Sequence, residues 1–189
     1  IKNIDYGFSG GNSTGSPFSA CSNLEEIEVY AVNPDGVYET RYTSIDGVLF
    51  EYRDTDNLSD LQLNYMPVSR RGEYEIPYGV TVLPTEAFGD VNYLTYIKVP
   101  ATVTRIDERA FAALYLEKIE FLAQPDGETE QTLSLDDLAF SGASNVVELV
   151  LPTRFDFSSK YFSYMTDLEK ISFTNDNWDY RAIDGLVVN

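Results

Sequence analysis

The frame Leu-x-x-Ile-x-Val, with aliphatic or aromatic residues substituting at its apolar positions, runs through this chain five times. Each copy follows a phenylalanine at a nearly constant distance. Phe18 precedes Leu24, Ile27 and Val29; Phe88 precedes Leu94, Ile97 and Val99; Phe111 precedes Leu116, Ile119 and Phe121. Phe140 precedes Val146, Leu149 and Leu151, and Phe162 precedes Leu168, Ile171 and Phe173. The halves between the frames also repeat: IPYGVTVLPTEAF (76–88) and VPATVTRIDERAF (99–111) share Pro, Val, Thr, an aliphatic and Ala-Phe at a shift of 23. A unit this short cannot bury its own apolar face. It must stack on its neighbours as a parallel solenoid.

Within each copy the last two apolar positions alternate with polar ones, the period of a strand with one buried face. Pro67, Pro77, Pro100 and Pro152 follow four of these runs, where a residue without an N–H ends the strand. Polar stretches such as PTE and DER before Ala-Phe predict one short helical turn per repeat, with the Phe plugging the interior. A second kind of duplication is present as well. YTSIDGVLFE (42–51) returns as YRAIDGLVVN (180–189), 138 residues later. Asp46-Gly47 and Asp184-Gly185 are expected to form the same turn, Gly supplying positive φ and Asp bonding nearby backbone.

The pattern A-F-x-x-x-x-x-L-x-x-I-x-V-P-x-x-V-T-x-I resembles the BspA-type leucine-rich repeats of bacterial surface proteins, over roughly residues 18–173. Cys21, three residues after Phe18, stands where that family's repeat often carries a cysteine. IDGVLFEYRDTDNLSDLQLNYMP followed by YEIPYGVT resembles the family's habit of interrupting the repeats with a hairpin that returns through a Tyr-Pro strand. Three departures stand out. The Phe111 to Leu116 spacing is one residue short, LAQPDGETEQTLSLDD (122–137) replaces the Ile-Pro-x-x-Val-Thr segment, and RFDFSSKY degrades the next one. The fold class implied is a β-rich α/β leucine-rich-repeat solenoid of parallel strands with short helical turns and an inserted β-hairpin. Residues 1–17 read as a diverged or partial first repeat, 18–173 as the repeat domain with the hairpin at about 42–67, and 174–189 as a second hairpin's start or an abbreviated cap. A fragment of a longer array is favoured over a capped end.

Thirteen basic against 31 acidic residues give a net charge of −18, spread along the chain. Such a field repels phosphate backbones and anionic lipid, so nucleic acid and bare membrane are poor partners and no nucleic acid partner is expected. No apolar run is long enough to insert into a membrane. Cys21 is the only cysteine and is expected to be a small buried hydrophobe. The chain has no histidine, which removes every Ser-His, Cys-His and His-metal arrangement. No phosphate-cradling or dinucleotide glycine motif is present, and no cofactor is expected. Asp54, Asp56, Asn57 and Asp60 are weak candidates for Ca²⁺, since turns use the same residue types.

Positions beside the frame's Ile face solvent, and stacking turns them into columns. One column reads Glu28, Glu75, Lys98, Glu120, Val150, Ser172; its neighbour reads Glu26, Glu73, Tyr96, Lys118, Glu148, Lys170. Opposite charges adjoin along both, which by itself stabilises neighbouring strands. The candidate binding residues on this face are Tyr96, Lys98, Lys118, Glu120, Glu148 and Lys170, with Thr95 and Val147 beside them. The resemblance implies a non-catalytic adhesion module of a bacterial cell-surface or secreted protein, binding an extracellular or host protein. A carbohydrate-binding or carbohydrate-cleaving β-solenoid and a passive surface spacer are the alternatives.

Overall fold

The alternating frame residues form strands wherever their N–H groups can ladder to the same position of the next coil. The computed structural model describes residues 17–18, 20–29, 41–54, 60–113, 115–125, 133–152, 159–174, 181–183 and 186–188. The strands are β1 (Tyr42–Ile45), β2 (Val48–Tyr52), β3 (Leu61–Tyr65), β4 (Arg71–Glu75), β5 (Val80–Leu83), β6 (Tyr93–Val99) and β7 (Arg105–Ile106). They continue with β8 (Lys118–Phe121), β9 (Ser134–Leu135), β10 (Glu148–Leu151), β11 (Lys170–Phe173), β12 (Arg181–Ile183) and β13 (Leu186–Val188). A front sheet, ordered β11-β10-β8-β6-β4, is parallel throughout. A back sheet is ordered β1-β2-β3-β5-β7-β9. Its β3, β5, β7 and β9 are parallel, whereas β1, β2 and β3 form an antiparallel meander. The inserted segment therefore extends the back sheet, and its Val48, Phe50, Leu61 and Leu63 join the solenoid's core.

That core is a set of ladders. Leu94, Leu116 and Val146 form one fully buried column; Ile97, Ile119 and Leu149 form another. Each such side chain gains about 1.5–3 kcal/mol from leaving water. At the opposite corner Phe88 and Phe111 stack at 5.9 Å, Phe111 and Phe140 at 5.4 Å, and Phe140 and Phe162 at 6.1 Å between centroids.

The segments that carry Phe88, Phe111 and Phe140 are not helical, which corrects the helical turns expected from the sequence. Ala87 N–H does bond back to Pro84 O (3.0 Å), and Gly89 N–H to Glu86 O (2.9 Å). Between them, however, Glu86 and Phe88 N–H donate sideways to Glu108 O (3.0 Å) and Ala110 O (2.9 Å) of the next coil. Arg109 N–H repeats the pattern toward Leu138 O at 3.0 Å. Glu86 and Arg109 both have φ of 55°, a left-handed conformation that no right-handed helical turn contains. Lateral bonds between coils have displaced the local i to i+4 bonds. Among the described residues only Ser159–Phe162 forms a 3-10 turn.

Two further expectations change at the N-terminal end. Cys21 keeps the repeat's backbone, its N–H on Phe18 O (2.8 Å) and its O accepting from Leu24 N–H (3.0 Å). Its counterparts Val91, Ala113, Ala143 and Met165 are buried, yet Cys21 is exposed, its coil being the first among the described residues. Glu26 and Glu28 do not extend the columns as a paired strand, because the front sheet ends at β4. Ile27 N–H is instead taken by Gly47 O (2.7 Å) and Val29 N–H by Ser44 Oγ (2.9 Å).

The Asp46-Gly47 turn has φ of 50° and 74°, positive at both central residues as a type I′ hairpin turn requires. The Asp46 carboxylate pairs with Arg70 rather than with neighbouring backbone. In β12 and β13 the partners Ile183↔Leu186, Ala182↔Val187 and Arg181↔Val188 reproduce Ile45↔Val48, Ser44↔Leu49 and Thr43↔Phe50. Asp184 and Gly185 themselves, like nearly all of residues 1–17, lie outside the described residues.

Candidate binding surface

Parallel register aligns Glu73, Tyr96, Lys118, Glu148 and Lys170 across the front sheet, and Glu75, Lys98, Glu120, Val150 and Ser172 beside them. All six candidate residues named from the sequence thus lie on one face. Val150 is closed off, only 9% exposed. The polar members are bonded to one another. Lys98 pairs with Glu73 and, at 3.8 Å, with Glu75. Lys118 reaches Glu120 at 3.2 Å and Glu148 at 3.7 Å, and Lys170 reaches Glu148 at 2.6 Å. Tyr96 sits between the two groups, its hydroxyl donating to Glu120 while the ammonium groups of Lys98 and Lys118 lie 5.2 and 4.7 Å from its ring centre. Glu120 is therefore held by Lys118 and Tyr96, not by Lys98 as adjacency in the column suggests.

This network sets its own charge states. Partial burial acts to raise the Glu120 carboxyl, but hydrogen bonds from Tyr96 and Lys118 outweigh it and leave the group below its usual 4.5. The Lys170 hydrogen bond is the main cause of a similar lowering at Glu148. The Tyr96 phenol is pushed up to about 12, first by desolvation and then by its bond to Glu120. Lys98 is raised chiefly by its hydrogen bond to Glu73. A carboxylate with a lowered folded-state pKa contributes stability that is complete above its unfolded value and is lost as pH falls through the folded one. Urea midpoints measured from about pH 7 down to about pH 3 are accordingly expected to fall more steeply for the native chain than for Glu120→Gln/Glu148→Gln, the two converging in acid. Parallel profiles would remove the network from the account of stability. At the alkaline end the Tyr96 contribution persists to about 10 and disappears through about 12.

Of the weak metal candidates, Asp54 and Asp60 are among the described residues. Asp60 accepts from the Thr81 hydroxyl and lies 3.5 Å from Arg53 Nη1, and Asp54 is exposed. Asp56 and Asn57 lie outside the described residues. Among the described residues no three or more His, Cys, Asp or Glu side chains are placed to hold a metal ion.

A second surface flanks the ladder at the N-terminal ends of the front strands. Thr95, Glu117, Val147 and Glu169 each follow the frame's first apolar residue. They are joined coil to coil by Glu117 N–H on Thr95 O (2.9 Å), Val147 N–H on Glu117 O (2.8 Å) and Glu169 N–H on Val147 O (3.0 Å). Tyr93 and Tyr115 precede that apolar residue, and Tyr164 lies in the turn leading to β11. Tyr93, Tyr115, Val147 and Tyr164 are 45, 54, 36 and 41% exposed, four of the five large apolar side chains so exposed among the described residues. Arg71, in register with Tyr93, places its guanidinium carbon 4.0 Å from the centre of that ring. Reading the sequence reached Thr95 and Val147 but missed the tyrosines. Their signal was in the same frame, one residue before Leu94 and Leu116.

A stack of short parallel coils with an outward-facing sheet defines a repeat solenoid, a scaffold whose exposed columns are free to vary. The BspA type leucine rich repeat region matches residues 70–182 in six copies, and the chain belongs to this family. Among solved structures it is similar to a leucine-rich repeat protein from Bacteroides capillosus (20% identity, TM-score 0.54, covering 71% of this chain and 99% of that one). A leucine rich cell surface protein from Faecalibacterium prausnitzii aligns at 26% identity with a TM-score of 0.49, over 72% of this chain. This chain covers 40% of the length of that protein. None of the curated proteins matches.

Proposed function

We propose that this chain is a non-catalytic protein-binding and adhesion module of a bacterial cell-surface or secreted protein. The observation that carries the reading is the front sheet, where five parallel strands hold an outward face whose charged groups are locked to one another. Such a face is rigid before any partner arrives, which lowers the ordering cost of binding. Membership of a family known as bacterial surface proteins supports the location. The candidate contacts on the face are Tyr96, Lys98, Lys118, Glu120, Glu148 and Lys170.

The test is binding of the 189-residue chain to an array of extracellular proteins and of bacterial and host glycans at physiological salt. Saturable binding to a protein is expected, with at least about tenfold loss on combined Lys118→Glu and Tyr96→Ala substitution. Hits confined to glycans would transfer the chain to the carbohydrate reading. No hit on either would leave a spacer that projects other domains.

A further inference from the structure

We infer that the rim at the N-terminal ends of β6, β8, β10 and β11 docks an extended protein segment bearing arginine or lysine. The inference rests on the protein-binding reading and specifies where on the front sheet the partner lies and what it carries. On the central ladder every lysine and glutamate already has a partner, so an incoming charged group must break an existing pair to gain a new one. The rim differs in this respect. Glu117 and Glu169 are exposed, and neither makes an ion pair among the described residues. The rings of Tyr115 and Tyr164 are exposed with no cation over them there.

The rim also shows which chemistry it accepts. Arg71 lays its guanidinium on Tyr93 at 4.0 Å, the geometry of a cation on the negative face of an aromatic ring. Tyr115 follows Tyr93 in the same column, about one strand spacing of 4.8 Å away, and presents an equivalent ring without a cation. A guanidinium or ammonium placed on Tyr115 would stand beside the carboxylate of Glu117. From β8 to β11 the rim spans about 10 Å, about 3 Å more than the 6.6 to 7 Å or so between same-side residues of an extended chain, a difference that long, flexible arginine side chains can make up. Arginines at alternate positions of such a segment could therefore meet Tyr115/Glu117 and Glu169 together. Val147 between them offers an apolar contact for an arginine stem. The net charge of −18 draws a cationic partner toward the whole chain, and the tyrosines give the rim a preference that charge alone lacks.

The experiment immobilises three short synthetic peptides: one with arginine at alternate positions, one with citrulline in their place and one with glutamate. The 189-residue chain is passed over them and over the protein and glycan array. The arginine peptide is expected to bind saturably and the other two not. Affinity is expected to fall about tenfold in Tyr115→Ala/Glu117→Gln. It should stay unchanged in Glu108→Gln, which removes the same unit of charge from the turn after β7. Equal losses in both variants, or none in the rim variant, would reduce the effect to general attraction and overturn the inference. Protein hits on the array without any arginine-peptide binding would overturn the cationic partner while leaving the protein-binding reading intact. Hits on neutral glycans alone, or silence throughout, would end both. Circular dichroism of each variant confirms that the exposed substitutions leave the fold in place.

Discussion

Phe111→Ala is expected to lower the free energy of unfolding by about 4 kcal/mol, within the range for deleting a buried phenylalanine. Phe111 is fully buried in the middle of the aromatic row, between Phe88 at 5.9 Å and Phe140 at 5.4 Å, with Phe121 edge-on at 6.4 Å. Truncation removes both stacking contacts at once and leaves a cavity that the coils on either side cannot close. Their spacing is held by the lateral bonds of Glu86 and Phe88 to Glu108 and Ala110. In a solenoid, stability is a sum of coil and nearest-neighbour terms, so damage at a central junction separates the array into weaker halves. Phe162, half-buried rather than fully buried and stacked on Phe140 at 6.1 Å, is the internal comparison. Phe162→Ala is expected to cost about half as much. Urea denaturation followed by far-ultraviolet circular dichroism distinguishes the two. Equal losses would show that the aromatic row does not concentrate stability at its centre. A broadened or two-step curve for Phe111→Ala alone would show the uncoupling directly.

The register of the front sheet was legible because a frame of constant length leaves no freedom. Once Leu94, Leu116 and Val146 occupy one buried column, Tyr96, Lys118 and Glu148 must align. What the frame does not encode is where each long side chain turns. Lys98 reaches back to Glu73 and Glu75, and Glu120 is taken by Lys118 and Tyr96, choices made by rotamers and neighbours after register is set. The Ala-Phe segments were misread as helical because PTE and DER suit a first helical turn. Their backbone follows the demands of the adjacent coil instead, and a local pattern cannot show that Glu86 N–H goes to Glu108. Position in the array misled the reading of Cys21. The repeat assigns it an interior site, but interior means covered by a coil on each side, and among the described residues none precedes the coil of Cys21. Likewise Glu26 and Glu28 fit the columns by spacing, but the inserted meander places Gly47 and Ser44 against their segment. The exposed tyrosines of the rim required knowing which frame-adjacent positions the coils leave open.

Gly142→Ala is expected to cost about 3 kcal/mol, the second largest effect, although it adds a single methyl group. Gly142 has φ of 93°, where a residue with a Cβ is strained by about 1–2 kcal/mol. The added Cβ would also stand 2.8 Å from Ala112 Cβ and 3.2 Å from Ala112 Cα in the preceding coil. The second contact is with backbone, so no rotamer change relieves it and the two coils must move apart. The strain and the clash can be separated. Ala112→Gly in the same background removes the 2.8 Å contact but leaves both the backbone contact and the φ penalty. It is expected to restore on the order of 1 kcal/mol, read as a coupling in a double-mutant cycle of urea midpoints. No recovery would assign the whole loss to the φ penalty and the backbone contact together. The consequence reaches the binding face because the turn at Gly142 leads into β10, whose Glu148 joins Lys118 of one coil to Lys170 of the next. Coils forced apart at Gly142 pull Glu148 away from Lys118, and the acid-side loss of stability traced to Glu148 should shrink in Gly142→Ala together with its midpoint. A single close approach between turns on one corner thus sets the spacing of the charged columns on the sheet.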